Sequence, residues 1–135
     1  MKKSDLQWKK ELTPEQYAVL RQKATETPYS GEFLYNEQDG MYVCAACGNE
    51  LFASQHKFEA ACGWPSFYDV ANSDNIRLVE DNSLGERRVE VLCKKCGGHL
   101  GHVFKDAPDQ PTGLRFCINS VSLGFKPEKG RVISE

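Results

Sequence analysis

The sequence has no long apolar run and no excess of basic residues, and these absences argue against two classes of protein. No stretch of about 18 apolar residues occurs, so no membrane-spanning helix is predicted. Lys and Arg total 17 against 19 Asp and Glu, which gives a net charge of −2. A dedicated nucleic-acid-binding protein normally carries a basic excess, so this class is disfavoured.

Internal repeats and low-complexity segments are also lacking. The 135 residues, 40% of them hydrophobic, predict a single domain over 1–135 with its own apolar core. The residues after Lys126 include Pro127 and Gly130 among mixed charges. We therefore expect 126–135 to be a loosely ordered tail.

Cysteine is too scarce for a disulfide-rich scaffold. Six cysteines make up about 4% of the chain, against roughly 8–10% in such scaffolds. The first ten residues are charged and lack the apolar stretch of a secretory signal. We therefore expect a cytoplasmic protein, in which thiols stay reduced and clustered cysteines usually bind metal or take part in catalysis.

Residue patterns predict one helix followed by a mainly β chain. Thr13, Pro14 and Gln16 supply an N-cap, a first helical residue and a capping-box partner, and Thr27-Pro28 is expected to end this helix. Alternation and turn residues predict strands at 33–35, 41–43, 88–92, 114–118 and 121–125. The first two are expected to form a hairpin that turns at Asp39-Gly40. The segment 53–80 lacks clean periodicity and is predicted to be a structured, functional loop.

Four cysteines have the spacing of zinc ligands. Cys44-Ala45-Ala46-Cys47-Gly48 and Cys93-Lys94-Lys95-Cys96-Gly97 are two Cys-x-x-Cys-Gly knuckles. The two-residue spacing lets both thiolates of a turn point at one ion, and the glycine permits a positive φ. Four thiolates suit tetrahedral Zn²⁺ and leave no open position for a substrate, so one structural zinc is predicted.

Two other interpretations of these cysteines are weaker. Independent redox-active Cys-x-x-Cys pairs would need a βαβ setting, which neither motif has. A mixed site that used His99 or His102 is not needed, because four cysteines already complete the coordination. A four-cysteine zinc module with only a binding role stays open at this point, although the two remaining cysteines argue against it.

The remaining cysteines, Cys62 and Cys117, have neighbours suited to thiol chemistry. If 115–119 is a strand, Arg115, Cys117 and Asn119 share one face, where a guanidinium favours the reactive thiolate. A small buried cysteine in a core strand is the alternative. Cys62 lies in a bent Gly- and Pro-containing stretch, with Trp64 as an aromatic wall.

Two of the three histidines lie in one glycine-rich run directly after the second knuckle. Imidazoles such as those of His99 and His102 exchange protons near neutral pH. Asp106 follows shortly after and is a candidate to orient one of the rings. Together with the two cysteines, these residues predict thiol chemistry with acid assistance in an aromatic pocket.

At this point the sequence resembles the B-class methionine sulfoxide reductases, over about residues 10–125. The resemblance rests on several motifs in the same order: Cys-Gly-Trp-Pro-Ser-Phe at 62–67, Gly-Gly-His-Leu-Gly-His-Val-Phe at 97–104, Arg-Phe-Cys-Ile-Asn at 115–119 and both knuckles. It implies a mainly β fold of two small antiparallel sheets packed face to face, tent- or barrel-like, with a short N-terminal helix and a four-cysteine zinc site.

The resemblance also implies an activity, the reduction of methionine-R-sulfoxide, free or within proteins, to methionine. Cys117 would attack the sulfoxide sulfur and become a sulfenic acid, and Cys62 would resolve it as a Cys62–Cys117 disulfide that thioredoxin reduces. His99 and His102 would protonate the departing oxygen, and Trp64 would pack on the S-methyl group. Arg115 would favour the Cys117 thiolate and Asn119 would help to hold the site together.

Two rival functions without turnover stay open from the residues alone. One is a zinc-ribbon interaction module, and the other is a redox sensor in which Cys62 and Cys117 only switch shape.

Overall fold

The computed structural model describes residues 4–60, 62–82 and 88–127. Most of the predicted loose tail, from 128 onward, lies outside the described residues, whereas Lys126 and Pro127 belong to the last strand. The described ranges contain two helices and nine strands: α1 Asp5–Glu11, α2 Pro14–Gln22, β1 Gly40–Cys44, β2 Glu50–Ala53, β3 Lys57–Phe58, β4 Ser66–Phe67, β5 Ile76–Asp81, β6 Arg88–Cys93, β7 His99–Phe104, β8 Arg115–Ile118 and β9 Leu123–Pro127. None of the helices in these ranges is long and apolar enough to span a membrane.

The predicted helix, α2, starts where the sequence indicates but ends earlier. The Thr13 hydroxyl accepts a hydrogen bond from the Gln16 amide at 3.1 Å, and the Gln16 side chain accepts one from the Thr13 amide at 3.0 Å. The prediction that Thr27-Pro28 ends the helix is wrong, because Lys23 already adopts a left-handed conformation with a φ of 62°. Helix α1 was not predicted, since seven residues show too little periodicity to reveal it.

The strands form two antiparallel sheets, as predicted. The smaller has the order β2-β1-β9, and the larger has the order β3-β4-β8-β7-β6-β5. The predicted strands at 88–92 and 114–118 correspond to β6 and β8. The last strand begins at Leu123, two residues later than predicted, because Ser120–Ser122 forms a 3-10 turn. At the end of the long segment 53–80, the six-residue strand β5 begins at Ile76 and continues to Asp81, and the sequence did not reveal it.

The predicted hairpin between 33–35 and 41–43 is wrong. Residues 33–35 lie in turns closed by backbone hydrogen bonds such as Asn36 N to Phe33 O, and β1 pairs instead with β2 and β9. The Phe33 ring packs edge-on against Tyr42, with centroids 5.6 Å apart. The apolar residues of 33–35 therefore contribute through side-chain packing rather than strand pairing.

Aromatic side chains from both sheets form the core between them. Phe52 of β2 stacks on Phe67 of β4 with centroids 4.5 Å apart, and Tyr42 of β1 meets the same ring at 5.2 Å. Phe52 also packs against Phe116 of β8 at 5.9 Å. All four rings are buried, so the two sheets face each other across a layer of aromatic side chains.

Candidate active site

The four knuckle cysteines come together, as their spacing predicts. Their sulfur atoms all lie within 4.8 Å of one another. Cys44 Sγ is 3.7 Å from Cys96 Sγ, and Cys47 Sγ is 3.6 Å from Cys93 Sγ. Two sulfurs that each lie about 2.3 Å from a tetrahedral ion are about 3.8 Å apart. The four cysteines can therefore hold one metal ion, and their distances and ligand type are compatible with zinc.

Each knuckle is a tight turn at the end of a strand. Gly48 and Gly97 have φ values of 80° and 76°, which confirms the predicted positive φ. Their amides donate to the carbonyls of Cys44 and Cys93 at 2.8 and 2.7 Å. The cluster thus links the end of β1 in the small sheet to the end of β6 in the large sheet.

The second pair of cysteines lies in the large sheet and its neighbouring loop. Cys117 of β8 is paired in register with Ser66 of β4 on one side and with His102 of β7 on the other. The Cys62 sulfur lies 3.6 Å from the Cys117 sulfur and 3.3 Å from the Ser66 hydroxyl. A disulfide bond is about 2.05 Å long, so the two thiols lie side by side but unbonded. The prediction that they are neighbours is confirmed.

The hydrogen bond between the two thiols shifts their pKa values in opposite directions. The hydrogen bond from Cys117 lowers the pKa of Cys62 to about 5, against the effect of burial and with help from Ser66. The same hydrogen bond and burial raise the pKa of Cys117, while Arg115 lowers it. Arg115 therefore acts on Cys117 in the predicted direction but is outweighed. The geometry of the resting pair therefore favours the thiolate at Cys62 and the proton at Cys117.

A cavity of about 220 Å³ opens beside the two sulfurs. Of the predicted site residues, Trp64, His102, Arg115 and Asn119 line it together with both cysteines. The buried His99, 3% exposed, does not line it. Thr25 and Phe104 complete part of the wall and were not predicted from the sequence.

Arg115 is fixed by two partners on the cavity wall. Its guanidinium makes a two-pronged salt bridge with Asp106, at 3.0 and 2.9 Å, and lies 4.6 Å from the centroid of Phe104. The prediction that Asp106 orients a histidine ring is wrong, because its carboxylate holds Arg115. Asp106 therefore supports the site through the guanidinium rather than through an imidazole.

Each histidine has its own carboxylate, which the sequence analysis did not identify. Nδ1 of His99 lies 2.7 Å from Glu90, and Nε2 of His102 lies 2.8 Å from Asp81. Burial lowers the pKa of His99, while Glu90 opposes that effect. Both carboxylates are themselves buried. The sequence contains no signal for the contact between Glu90 and His99, because the residue opposite Glu90 in the register of β6 and β7 is His102.

Lys23 joins the two carboxylates from the end of α2. Its ammonium lies 3.2 Å from Asp81 and 3.3 Å from Glu90. Although burial lowers it, these hydrogen bonds raise the pKa of Lys23 above its usual value. The left-handed conformation that ends the helix thus places a cation between the supports of both histidines.

The side chains of Asn119 and Trp64 both form hydrogen bonds with the backbone of Glu26. The Asn119 amide donates to the Leu100 carbonyl at 3.0 Å and accepts from the Glu26 amide at 3.0 Å. The Trp64 indole nitrogen donates to the Glu26 carbonyl at 3.1 Å. The segment after α2 therefore fixes the indole relative to β7 and β8, a role for Glu26 that the sequence did not indicate.

Comparison with known proteins agrees with the resemblance found in the motifs. Residues 12–127 match the model of the SelR domain family. A protein from Methanosarcina mazei is 62% identical over 129 residues, which cover 96% of this chain and 91% of that protein. A protein from Leifsonia xyli is 56% identical over 93% of this chain and 91% of its own length. A protein from Acinetobacter baylyi is 47% identical over 96% of this chain and 92% of its own length. All three relatives are named peptide methionine sulfoxide reductase MsrB.

Proposed function

The chain belongs to the SelR domain family, and on that premise we propose that it is an oxidoreductase that reduces methionine-R-sulfoxide, free or in proteins, to methionine. The names of its relatives support the sulfoxide substrate, and the family resemblance supports the R epimer. The observation that carries the proposal is the 3.6 Å contact between the Cys62 and Cys117 sulfurs beside a cavity lined by Trp64 and His102.

In the first step Cys117 attacks the sulfur of the bound sulfoxide. Its proton passes to the adjacent Cys62 thiolate, while His102 donates a proton to the sulfoxide oxygen. The oxygen moves to the Cys117 sulfur, methionine leaves, and Cys117 becomes a sulfenic acid. His102 serves here because it lines the cavity, whereas the buried His99 contributes from behind it, with ring centroids 5.5 Å apart.

In the second step Cys62 attacks the sulfur of the Cys117 sulfenic acid. A disulfide forms and the oxygen leaves as water, whose two protons are the one held by the thiol pair and the one that His102 donated. His102 recovers its proton from the solvent before the next turnover. The sulfurs need to approach by only about 1.5 Å to reach bonding distance, so this step requires a small local movement.

The other cavity residues position these groups. Trp64 packs on the S-methyl group of the substrate, a sulfur–aromatic contact of about 0.3–1.5 kcal/mol. Arg115, fixed by Asp106, stabilises negative charge on Cys117 as the proton leaves. Asn119 holds β7, β8 and the Glu26 segment in register through its two backbone hydrogen bonds.

Zinc is the proposed occupant of the four-cysteine cluster of Cys44, Cys47, Cys93 and Cys96. Four thiolates complete a tetrahedral site, so the ion would be structural and would stabilise the join between the two sheets.

Thioredoxin, or a dithiol carrier like it, is the proposed reductant of the Cys62–Cys117 disulfide, on the family resemblance. A reducing compartment follows from this chemistry, and we place the protein in the cytoplasm.

An assay with separate epimers tests the proposed function. Methionine-R-sulfoxide and methionine-S-sulfoxide are each supplied with dithiothreitol as the reductant, and methionine is quantified. Consumption of the R form alone is expected. Consumption of neither form would favour the zinc-ribbon module or the redox sensor, since both predict no turnover.

A further inference from the structure

A second and larger cavity adjoins the catalytic cavity at Trp64. Its volume is about 430 Å³, and Trp64 lines both cavities. We call it the Tyr35 groove, lined among others by Tyr29, Tyr35, Glu37, Phe58 and Glu59. A substrate whose sulfoxide side chain lies in the catalytic cavity can therefore continue past the indole into this groove.

Two tyrosines give the groove an exposed aromatic wall. Tyr29 is 60% exposed and Tyr35 is 70% exposed, which is a high exposure for rings that border a cavity. Adjacent exposed aromatic groups are typical of binding surfaces, because they supply contact area at a low cost in conformational entropy.

The position of Tyr29 is fixed by the loop that carries Cys62. Its amide donates to the Gly63 carbonyl at 2.7 Å, and its φ of 65° is a conformation that residues other than glycine rarely adopt. Such backbone conformations persist where the surroundings enforce them, and they cluster at functional sites. The groove wall is thus built onto the active-site loop.

The groove carries an excess of negative charge. Glu37, Asp39 and Glu59 line it, and all three are exposed. Among its lining residues the only cation is Lys57, whose ammonium already donates to the Leu34 carbonyl at 2.8 Å. Three carboxylates against one ammonium leave the lining with an excess of two negative charges, which favours a ligand with cationic side chains.

We propose that the Tyr35 groove binds the polypeptide on either side of an oxidised methionine, and that it favours segments with apolar and Lys or Arg residues. This inference rests on the proposed function, because it assigns the groove to the substrate of the adjoining site.

Three substrates test the proposal, each containing methionine-R-sulfoxide and each reduced with dithiothreitol. One is N-acetyl-methionine-R-sulfoxide amide, which is too small to fill the groove. The others are capped pentapeptides with the sulfoxide at the centre, alanine beside it, and either lysine or glutamate at both ends. We expect kcat/KM for the lysine peptide to exceed that for the glutamate peptide by about fivefold at low salt, with the difference lost at high salt.

Two variants of the Tyr35 groove test which of its side chains cause the differences in kcat/KM between the substrates. Replacing Glu37→Gln and Glu59→Gln together should abolish most of the preference for lysine. Tyr35→Ala should lower kcat/KM for both peptides by about fivefold. The small amide substrate should be reduced at the wild-type rate by both variants, which also establishes that they fold. Asp74→Asn and Leu78→Ala, exposed positions outside the groove, are the matched controls and should change nothing.

Other outcomes would overturn the proposal. Equal kcat/KM for all three substrates in the wild type would leave the groove without a role in substrate binding. Groove variants that slow only thioredoxin-driven recycling would assign the groove to the reductant instead. If the wild type fails to reduce even the small amide, the proposed function itself is wrong, and this result differs from both others.

Discussion

The sulfur of Cys62 lies 3.6 Å from the sulfur of Cys117, although the two residues are 55 positions apart in the chain. The pairing of Ser66 with Cys117 in β4 and β8 brings the loop that carries Cys62 onto the strand that carries Cys117. This one contact determines which sulfur holds the proton and where a disulfide can form.

Substitution of each cysteine should have a different effect. Cys117→Ser should abolish methionine formation, even in a single turnover, because no nucleophile remains. Cys62→Ser should still form about one methionine per chain, but thioredoxin-driven cycling should stop because the sulfenic acid has no partner. Product counts in single-turnover and steady-state assays check this. Full cycling in Cys62→Ser would remove Cys62 from the mechanism.

Alkylation of the resting enzyme should report the shared proton. The pKa of Cys62 is lowered to about 5, so its thiolate is present above that pH and is lost as the pH falls through it. Labelling of Cys62 by iodoacetamide should therefore reach half its maximum near pH 5. In Cys117→Ala the hydrogen bond is lost, and the midpoint should move toward the ordinary cysteine value of about 8.5. Preferential labelling of Cys117 at pH 6 would contradict the assignment.

The two histidines should differ in importance. His102→Asn should lower the single-turnover rate by about 10²–10⁴-fold, as expected for loss of a general acid. His99→Asn should cost less, because His99 does not line the cavity.

The Glu90 carboxylate offers a separate test of the histidine pair. Glu90 raises the pKa of His99 against the effect of burial. Glu90→Gln should therefore lower that pKa further, and because the histidine pair acts as a proton donor, the basic limb of the rate profile should move to lower pH. A profile that is merely scaled down would instead indicate a purely structural role for Glu90.

Loss of the metal should destabilise the fold. The variant used for this test does not alter Cys62 or Cys117. Cys44→Ser should lose the bound zinc and lower Tm by more than about 10 °C, because a structural site contributes directly to folding. Metal analysis and thermal denaturation measure both effects. Cys62→Ser is the matched control and should keep one zinc and the wild-type Tm. Unchanged stability of Cys44→Ser would contradict a structural metal.

The grouping of the four knuckle cysteines could be predicted from the sequence, because the spacing within each knuckle determines it. The pairing of Cys62 with Cys117 was an expectation from the family resemblance. The knuckles carry their own turn geometry at Gly48 and Gly97, and alternation in β8 places Arg115 and Cys117 on one face. The carboxylate partners were out of reach, since Glu90 and Asp81 meet the histidines only through the register of the sheet. Nearness in sequence predicts a contact between Asp106 and a histidine, whereas in the fold its carboxylate binds Arg115.

Local sequence patterns gave wrong secondary structure at two places where contacts with distant residues determine the conformation. The apolar triplet at 33–35 has strand-like composition, yet Phe33 contributes by packing on Tyr42. Nothing between Lys23 and Thr27 in the sequence indicates that the helix has already ended. The left-handed Lys23 is explained by its position between Asp81 and Glu90, which lie more than 50 residues further along the chain.

The central claim is tested most directly by a single turnover without added reductant. Reduced enzyme is mixed with excess methionine-R-sulfoxide, methionine is counted, and disulfides are mapped by peptide mass analysis. The account predicts one methionine per chain, the loss of two thiols and a single Cys62–Cys117 disulfide. Methionine formed while both of these thiols remain free, or a disulfide to a knuckle cysteine instead, would contradict it.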